Sequence, residues 1–180
     1  TPRTVPLGLE TELVASLEVD GRSYPLAGRA DRIDRREDGV VILDYKTGGF
    51  VAPKNTFWSD EALWNRLAAV SGLGPDDPEL LELVAKRLGS IQLPLYCWLH
   101  AVSRNETPAD AAFVELRDKG QERALFGPRL EPEARNDAIR RQTPRLLAYL
   151  VRSLRAAERF APRPDERRCP YCDFRAACGA

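Results

Sequence analysis

The 180-residue chain contains no methionine, not even at position 1, and a single histidine, His100. A chain without its initiator residue reads as a domain excised from a longer protein. No apolar run approaches the roughly 20 residues that a membrane-spanning helix needs, and no signal-peptide pattern opens the sequence, so a cytoplasmic protein is expected. The formal net charge is zero, which excludes a global field that gathers nucleic acid. No Gly-x4-Gly-Lys-Ser/Thr loop is present, so nothing here cradles the phosphates of a nucleotide. No cysteine precedes residue 97.

What remains describes a globular chain. Hydrophobic residues make up 43% and charged residues 30%, enough for one domain with a core and too apolar for disorder. Charge is unevenly spread: from Arg129 onward there are twelve arginines, no lysine and seven acids. "ELVASLEV" (12–19) alternates apolar and polar residues and reads as a strand, Asp20-Gly21 as a turn, and 24–34 as a second strand. "RREDG" (35–39) is a further turn and 40–46 a third strand, so the chain opens with an antiparallel meander. Helices are expected over about 60–70, with Ser59 able to cap it, over 74–89, and over 91–103 with Pro94 near the first turn. Strands are expected at 111–116 and 123–127. A long helical stretch follows over about 132–160, kinked near Pro144, and then an irregular cysteine-bearing tail.

The third strand ends in "DYKTGG", and its end carries charge. If the hairpin turns over Arg36 to Gly39, Arg35 pairs with Val40 and Asp31 falls opposite Asp44. Two carboxylates placed about 5 Å apart on one face repel one another. A divalent cation between them reverses that sign, and Mg²⁺ favours one or two carboxylates plus waters and phosphates. Strand alternation puts Lys46 on the face of Asp44, where an ammonium would orient a water or steady charge developing on a phosphate. Asp34 points the other way and reads as a surface residue. The competing reading is an exposed hairpin face bearing an Asp–Lys pair. The apolar run before Asp44 and the glycines after Lys46 weigh against it.

"GRADRID" (28–34) followed by "DYKTG" (44–48) resembles the PD-(D/E)xK nuclease superfamily, and more narrowly the RecB-family exonuclease branch that includes the nuclease domain of AddB-type helicase–nuclease subunits. That branch carries a Gln-x-x-x-Tyr motif on a following helix, here "QLPLY", with Gln92 and Tyr96 on one helical face. The resemblance implies an α/β fold with a central mixed sheet flanked by helices, of restriction-endonuclease-like type. It implies Mg²⁺- or Mn²⁺-dependent hydrolysis of DNA phosphodiesters, with Asp31 and Asp44 as metal ligands and Lys46, Gln92 and Tyr96 completing the catalytic set. It divides the chain into a nuclease core over 1–160, with a helical insertion at about 50–90, and a tail over 161–180.

The tail, "CPYCDFRAACG", spaces Cys169, Cys172 and Cys178 as Cys-x2-Cys-x5-Cys. Without a secretory signal such a cluster suggests metal rather than disulfides. Members of the branch that hold an iron–sulfur cluster, typically of four irons and four sulfurs, take three cysteines from such a tail and a fourth from far upstream. Here the fourth would lie outside the sequence in hand, or Cys97 would substitute, although Cys97 on an apolar helix reads as core. Zinc, or no metal at all, are the alternatives.

Other features divide between function and packing. The branch's metal-binding histidine lies upstream of the meander, so His100 reads as a packing or capping residue. Glu10 and Glu12 could lend a carboxylate but read as a solvated strand face. Arg141, Arg145, Arg152, Arg155 and Arg159 fall on one side of the long helix, with Leu147, Leu150, Val151 and Leu154 opposite, either as a DNA-contacting stripe or as an ordinary amphipathic face. Trp58, Trp64 and Trp98 read as core rather than as base-stacking platforms. The expected protein is thus a Mg²⁺-dependent deoxyribonuclease, an exonuclease domain of a larger helicase–nuclease in double-strand break repair, with DNA and a motor subunit as partners. The alternatives are a catalytically silent DNA-binding scaffold with an iron–sulfur staple and a CRISPR-associated RecB-like nuclease.

Overall fold

The computed structural model describes residues 4–48, 50, 55–70, 78–128, 130–157, 169–173 and 175–178. Strands β1 (Val5–Val19) and β2 (Arg22–Arg36) form a long antiparallel hairpin. Its loop is Asp20-Gly21, both with positive φ, 50° and 71°, the geometry whose twist matches the flanking strands. The chain turns back through Glu37-Asp38 into β3 (Gly39–Lys46). β3 pairs in parallel with β4 (Asp110–Glu115), and β5 (Gln121–Ala124) adds an antiparallel edge. A parallel pair needs a long crossover. It contains α1 (Glu61–Ala69), α2 (Pro78–Leu88) and α3 (Gln92–Ser103). Then come α4 (Pro132–Asp137), a π-helical turn (Ala138–Gln142), α5 (Thr143–Ala156) and the short α6 (Arg175–Cys178). The sheet order is β1-β2-β3-β4-β5. The fold is therefore α/β, a five-stranded mixed sheet flanked by helices that opens with an antiparallel meander, as the sequence suggested.

The main core lies on one face of the sheet. Helix α3 is apolar on every side, and Leu93, Cys97, Leu99 and Ala101 are all but inaccessible. They meet Leu13, Leu17, Ala30, Ile33 and Ile42 from the strands, Leu63 from α1 and Leu146 and Tyr149 from α5. Fully burying one such Leu or Phe side chain contributes about 1.5–3 kcal/mol. The tryptophans belong to this core: Trp58 stacks on Trp64 at 6.0 Å and meets Phe126 edge-on, and Trp98 is buried in α3.

The opposite face carries a smaller cluster of Val41, Leu43, Ala112 and Val114. Asp34 lies on this face and corrects one expectation. It is 1% exposed rather than superficial, because Arg32 at 2.7 Å and Arg36 at 3.8 Å fold over it, and Arg36 in turn grips Glu122 through two bonds.

Element boundaries shift for identifiable reasons. β1 begins at Val5 rather than 12: its first half continues the alternation and pairs with β2, but Val5, Leu7 and Leu9 are exposed rather than in the core. The α1 cap is Asp60, not Ser59: its Oδ1 accepts the Leu63 N–H at 3.1 Å. β5 ends at Ala124 rather than 127. Leu154, expected on the apolar side of α5, is exposed. The kink before Pro144 is the π turn. Pro144 lacks an N–H, and the widened turn lets Thr143 satisfy the Ala138 carbonyl with both its N–H and its hydroxyl, the latter at 2.8 Å. Among the described residues, no helix is long and apolar enough to cross a membrane.

Candidate active site

The β2–β3 ladder runs from Arg36 opposite Gly39 to Arg32 opposite Leu43, the register deduced from the two-residue turn. Among the described residues, β2 beyond Arg32 pairs only with β1, so the sheet forks. Asp31 stands at the fork, one residue beyond the last paired position, and its charge reaches Asp44. Its Oδ2 accepts the Tyr45 N–H at 2.7 Å, so a carboxylate takes the place of a strand carbonyl.

Asp44 follows four buried residues, Val40 to Leu43, and is itself 3% exposed. Lys46 is two residues on and shares its face, with Nζ 2.5 Å from Asp44 Oδ2. The ammonium donates to Gln92 Oε1 at 2.8 Å and lies 4.8 Å from the centroid of the Phe113 ring. Gln92 opens α3, where Ser90 Oγ accepts its backbone N–H at 3.2 Å. Its side-chain amide is fully used: Nε2 donates to Asp44 Oδ1 at 2.6 Å and to the Tyr96 hydroxyl at 3.0 Å, while Oε1 accepts from Lys46. Tyr96 sits one turn further along the same helical face, as the four-residue spacing required. The structure thus gathers Asp31, Asp44, Lys46, Gln92 and Tyr96 into one cluster.

Burial is the largest influence on Asp44 and holds its carboxyl above the usual carboxylate value. The bond to Lys46 and its charge pull the other way, and the nearby Asp31 charge adds to the rise. Asp44 Oδ2 is buried against the Lys46 ammonium. A buried carboxylate beside a second carboxylate is a donor set that fits a hard divalent cation, which takes oxygen ligands and tolerates as few as two from protein. No group of three or more His, Cys, Asp or Glu side chains gathers among the described residues.

The other candidates stand apart. Glu10 is exposed and pairs with Arg29 at 3.0 Å, and Glu12 is exposed on β1. His100 is buried, with Nδ1 2.9 Å from the Glu106 carbonyl oxygen. Burial holds its pKa below the ordinary value, in keeping with packing and loop anchoring. On α5, Arg152 grips Asp20 at the hairpin tip at 2.8 Å and Arg155 lies 3.7 Å from the same carboxylate. Arg141 pairs with Asp137 at 3.1 Å, and Arg141 and Arg145 are exposed. Arg159 lies outside the described residues. In the tail the Cys172 N–H donates to the Cys169 carbonyl at 3.2 Å, with Cys172 exposed. Cys97 is fully buried, and burial, then the Asp110 charge, pushes its thiol well above the ordinary value, which makes it a poor thiolate donor. Phe113 was not anticipated: it pairs with Asp44 across β3 and β4, and its ring carries the Lys46 ammonium. In the sequence it is one apolar residue in a buried strand, with no signal of that role.

The crystal structure of SSO0001 is similar over 95% of this chain, at 18% identity and a TM-score of 0.44, and this chain spans 59% of the length of that one. Comparison with curated proteins finds no match. The family model of the PD-(D/E)XK nuclease superfamily matches residues 1–179, and with Asp31, Asp44 and Lys46 converging at the sheet fork, the chain belongs to the PD-(D/E)XK nuclease superfamily.

Proposed function

We propose that this chain is a divalent-metal-dependent deoxyribonuclease, the exonuclease domain of a larger helicase–nuclease that processes double-strand breaks. The observation that carries the reading is the buried Asp44, paired with Lys46 and near enough to Asp31 for the two carboxyl groups to influence one another. Superfamily membership supplies the phosphodiester chemistry. The finer assignment to the RecB-like branch is supported by "GRADRID", "DYKTG" and "QLPLY" in order along the chain.

Asp31 and Asp44 would hold Mg²⁺ or Mn²⁺. Such a cation, when bound, acts as a Lewis acid toward the phosphate and makes a coordinated water more acidic. The chain's own groups do the rest. The Lys46 ammonium, steadied by Gln92 and the Phe113 ring, is placed to stabilise negative charge growing on a phosphate oxygen. Gln92 keeps the carboxylate and the ammonium in register. Of the arginine stripe, Arg145 on α5 and Arg141 in the π turn, both exposed although Arg141 also pairs with Asp137, are best placed to meet DNA phosphates, since Arg152 and Arg155 are held against Asp20. For the tail we propose an iron–sulfur cluster held by Cys169, Cys172 and Cys178 with a fourth ligand from elsewhere. The proximity of Cys169 and Cys172 and the unsuitability of Cys97 support this. Broad absorbance near about 400 nm, lost in Cys172→Ser, tests it.

The test of the main reading is cleavage of end-labelled single-stranded and duplex DNA with Mg²⁺ by the wild type and by Asp44→Ala. Cleavage lost in Asp44→Ala, with DNA binding retained, supports the enzyme. A wild type that binds DNA and never cuts it supports the silent scaffold instead.

A further inference from the structure

Gly28 lies in β2, three residues before Asp31, and opposes Leu13 of β1. Its φ is not in the left-handed region, unlike that of Gly21 or Gly39, so backbone freedom does not explain a glycine here. Space does. A Cβ at Gly28 would fall 2.5 Å from Tyr96 Cε1, 2.9 Å from Tyr96 Cδ1 and 3.4 Å from Leu99 Cδ1. Carbon atoms settle at about 3.5–4.0 Å, so the ring would have to retreat by about 1 Å. Tyr96 is 8% exposed and its neighbours Leu93, Cys97 and Leu99 are close to fully buried, so α3 offers no slack for that retreat.

The ring's hydroxyl is the third partner of the Gln92 amide, whose other two contacts are Asp44 and Lys46. We infer that Gly28 is a positioning residue for this site: its missing Cβ seats the Tyr96 ring against β2, and the seated ring anchors the amide that spans Asp44 and Lys46. The inference rests on the nuclease reading for its kinetic consequence and on geometry alone for its structural one.

In Gly28→Ala, kcat for Mg²⁺-dependent cleavage of a single-stranded oligonucleotide is expected to fall about 10- to 100-fold, the scale of an ångström-sized misplacement. KM should move less than about threefold, since the DNA-contacting surface is untouched. On a Tyr96→Ala background the same change should cost less than about twofold, because the ring it displaces is gone and the two effects are not additive. Wild-type kcat in Gly28→Ala, or an equal loss on both backgrounds, overturns the inference. If Gly28→Ala alone does not fold, the double variant decides: recovery of the fold and kcat of Tyr96→Ala supports it, and continued unfolding overturns it. The Gln92 side-chain NH₂ signals in ¹⁵N NMR give a readout independent of cleavage. They should shift and exchange faster in Gly28→Ala, and unmoved signals overturn the positioning role. Moved signals in a protein whose wild type cuts no DNA would support the positioning role and overturn only the nuclease reading.

Discussion

Asp44 carries a cost in stability. Its carboxyl is raised by burial, so the folded chain holds that proton more tightly than the unfolded chain does. Its contribution to stability is therefore full below the ordinary aspartate range, about pH 4, and is lost as pH rises through the raised value. Asparagine removes the charge and keeps an oxygen for Gln92. In chelator, Asp44→Asn should unfold at a higher temperature than wild type near neutrality, the gap closing in acid, while cleavage in Mg²⁺ drops by at least about 10²-fold. Thermal unfolding against pH, beside an oligonucleotide assay, checks both halves. Lys46 gives the converse case. Lys46→Ala should lower kcat by roughly 10²–10³-fold, the scale for removing one charge-stabilising donor, and Lys46→Arg should not restore it, because a planar fork cannot reproduce a point contact among Asp44, Gln92 and the Phe113 ring. These residues were legible because a two-residue turn allows one register and alternation assigns faces. Asp34 was not, since its burial depends on Arg32 and Arg36 folding across the far side of the sheet, which no local pattern encodes.

At the scale of elements, the arginines of α5 divide by task. Arg152 and Arg155 tie the helix to Asp20 at the tip of the β1–β2 hairpin, and the bond to Arg152 is the main influence holding that carboxyl below its usual value. Stability from this tie is present above the ordinary aspartate range and lost as pH falls through the lowered value. Asp20→Asn should lower the thermal midpoint near neutrality. The difference from wild type should shrink in acid and in about 1 M salt, where screening shortens to about 3 Å. A helical wheel shows a stripe but not its partners, so one row of arginines reads equally well as a DNA surface and as an ordinary amphipathic face. Helix α3 was clearer, because an apolar face around Gln92 and Tyr96 leaves those two polar groups a single place to meet. The π turn before Pro144 was legible only as a break: proline forbids the regular bond, and Thr143 decides how the chain repairs it.

For the whole molecule, the site is a seam between two parts of the sheet, and a ligand there binds only the folded chain. A cation that joins Asp31 on β2 to Asp44 on β3 should therefore stabilise everything. At free Mg²⁺ about 100 times its Kd the gain is about 2.7 kcal/mol. For a domain of this size that is a rise of roughly 5–10 °C in thermal midpoint. Calorimetry against Mg²⁺ concentration should show this in the wild type and not in Asp44→Asn, and a wild-type midpoint indifferent to Mg²⁺ and Mn²⁺ would exclude a cation at the fork. The side chain of Gln92 has a last consequence. A carboxamide and a carboxylate have nearly the same outline, but only the carboxamide offers hydrogens at one end and lone pairs at the other. Asp44 can only accept and Lys46 can only donate, so the pair sets which way round Gln92 must sit. Glutamate at 92 would fill the space without a flaw and turn a negative oxygen toward Asp44, so at this position shape is the lesser requirement and polarity the greater.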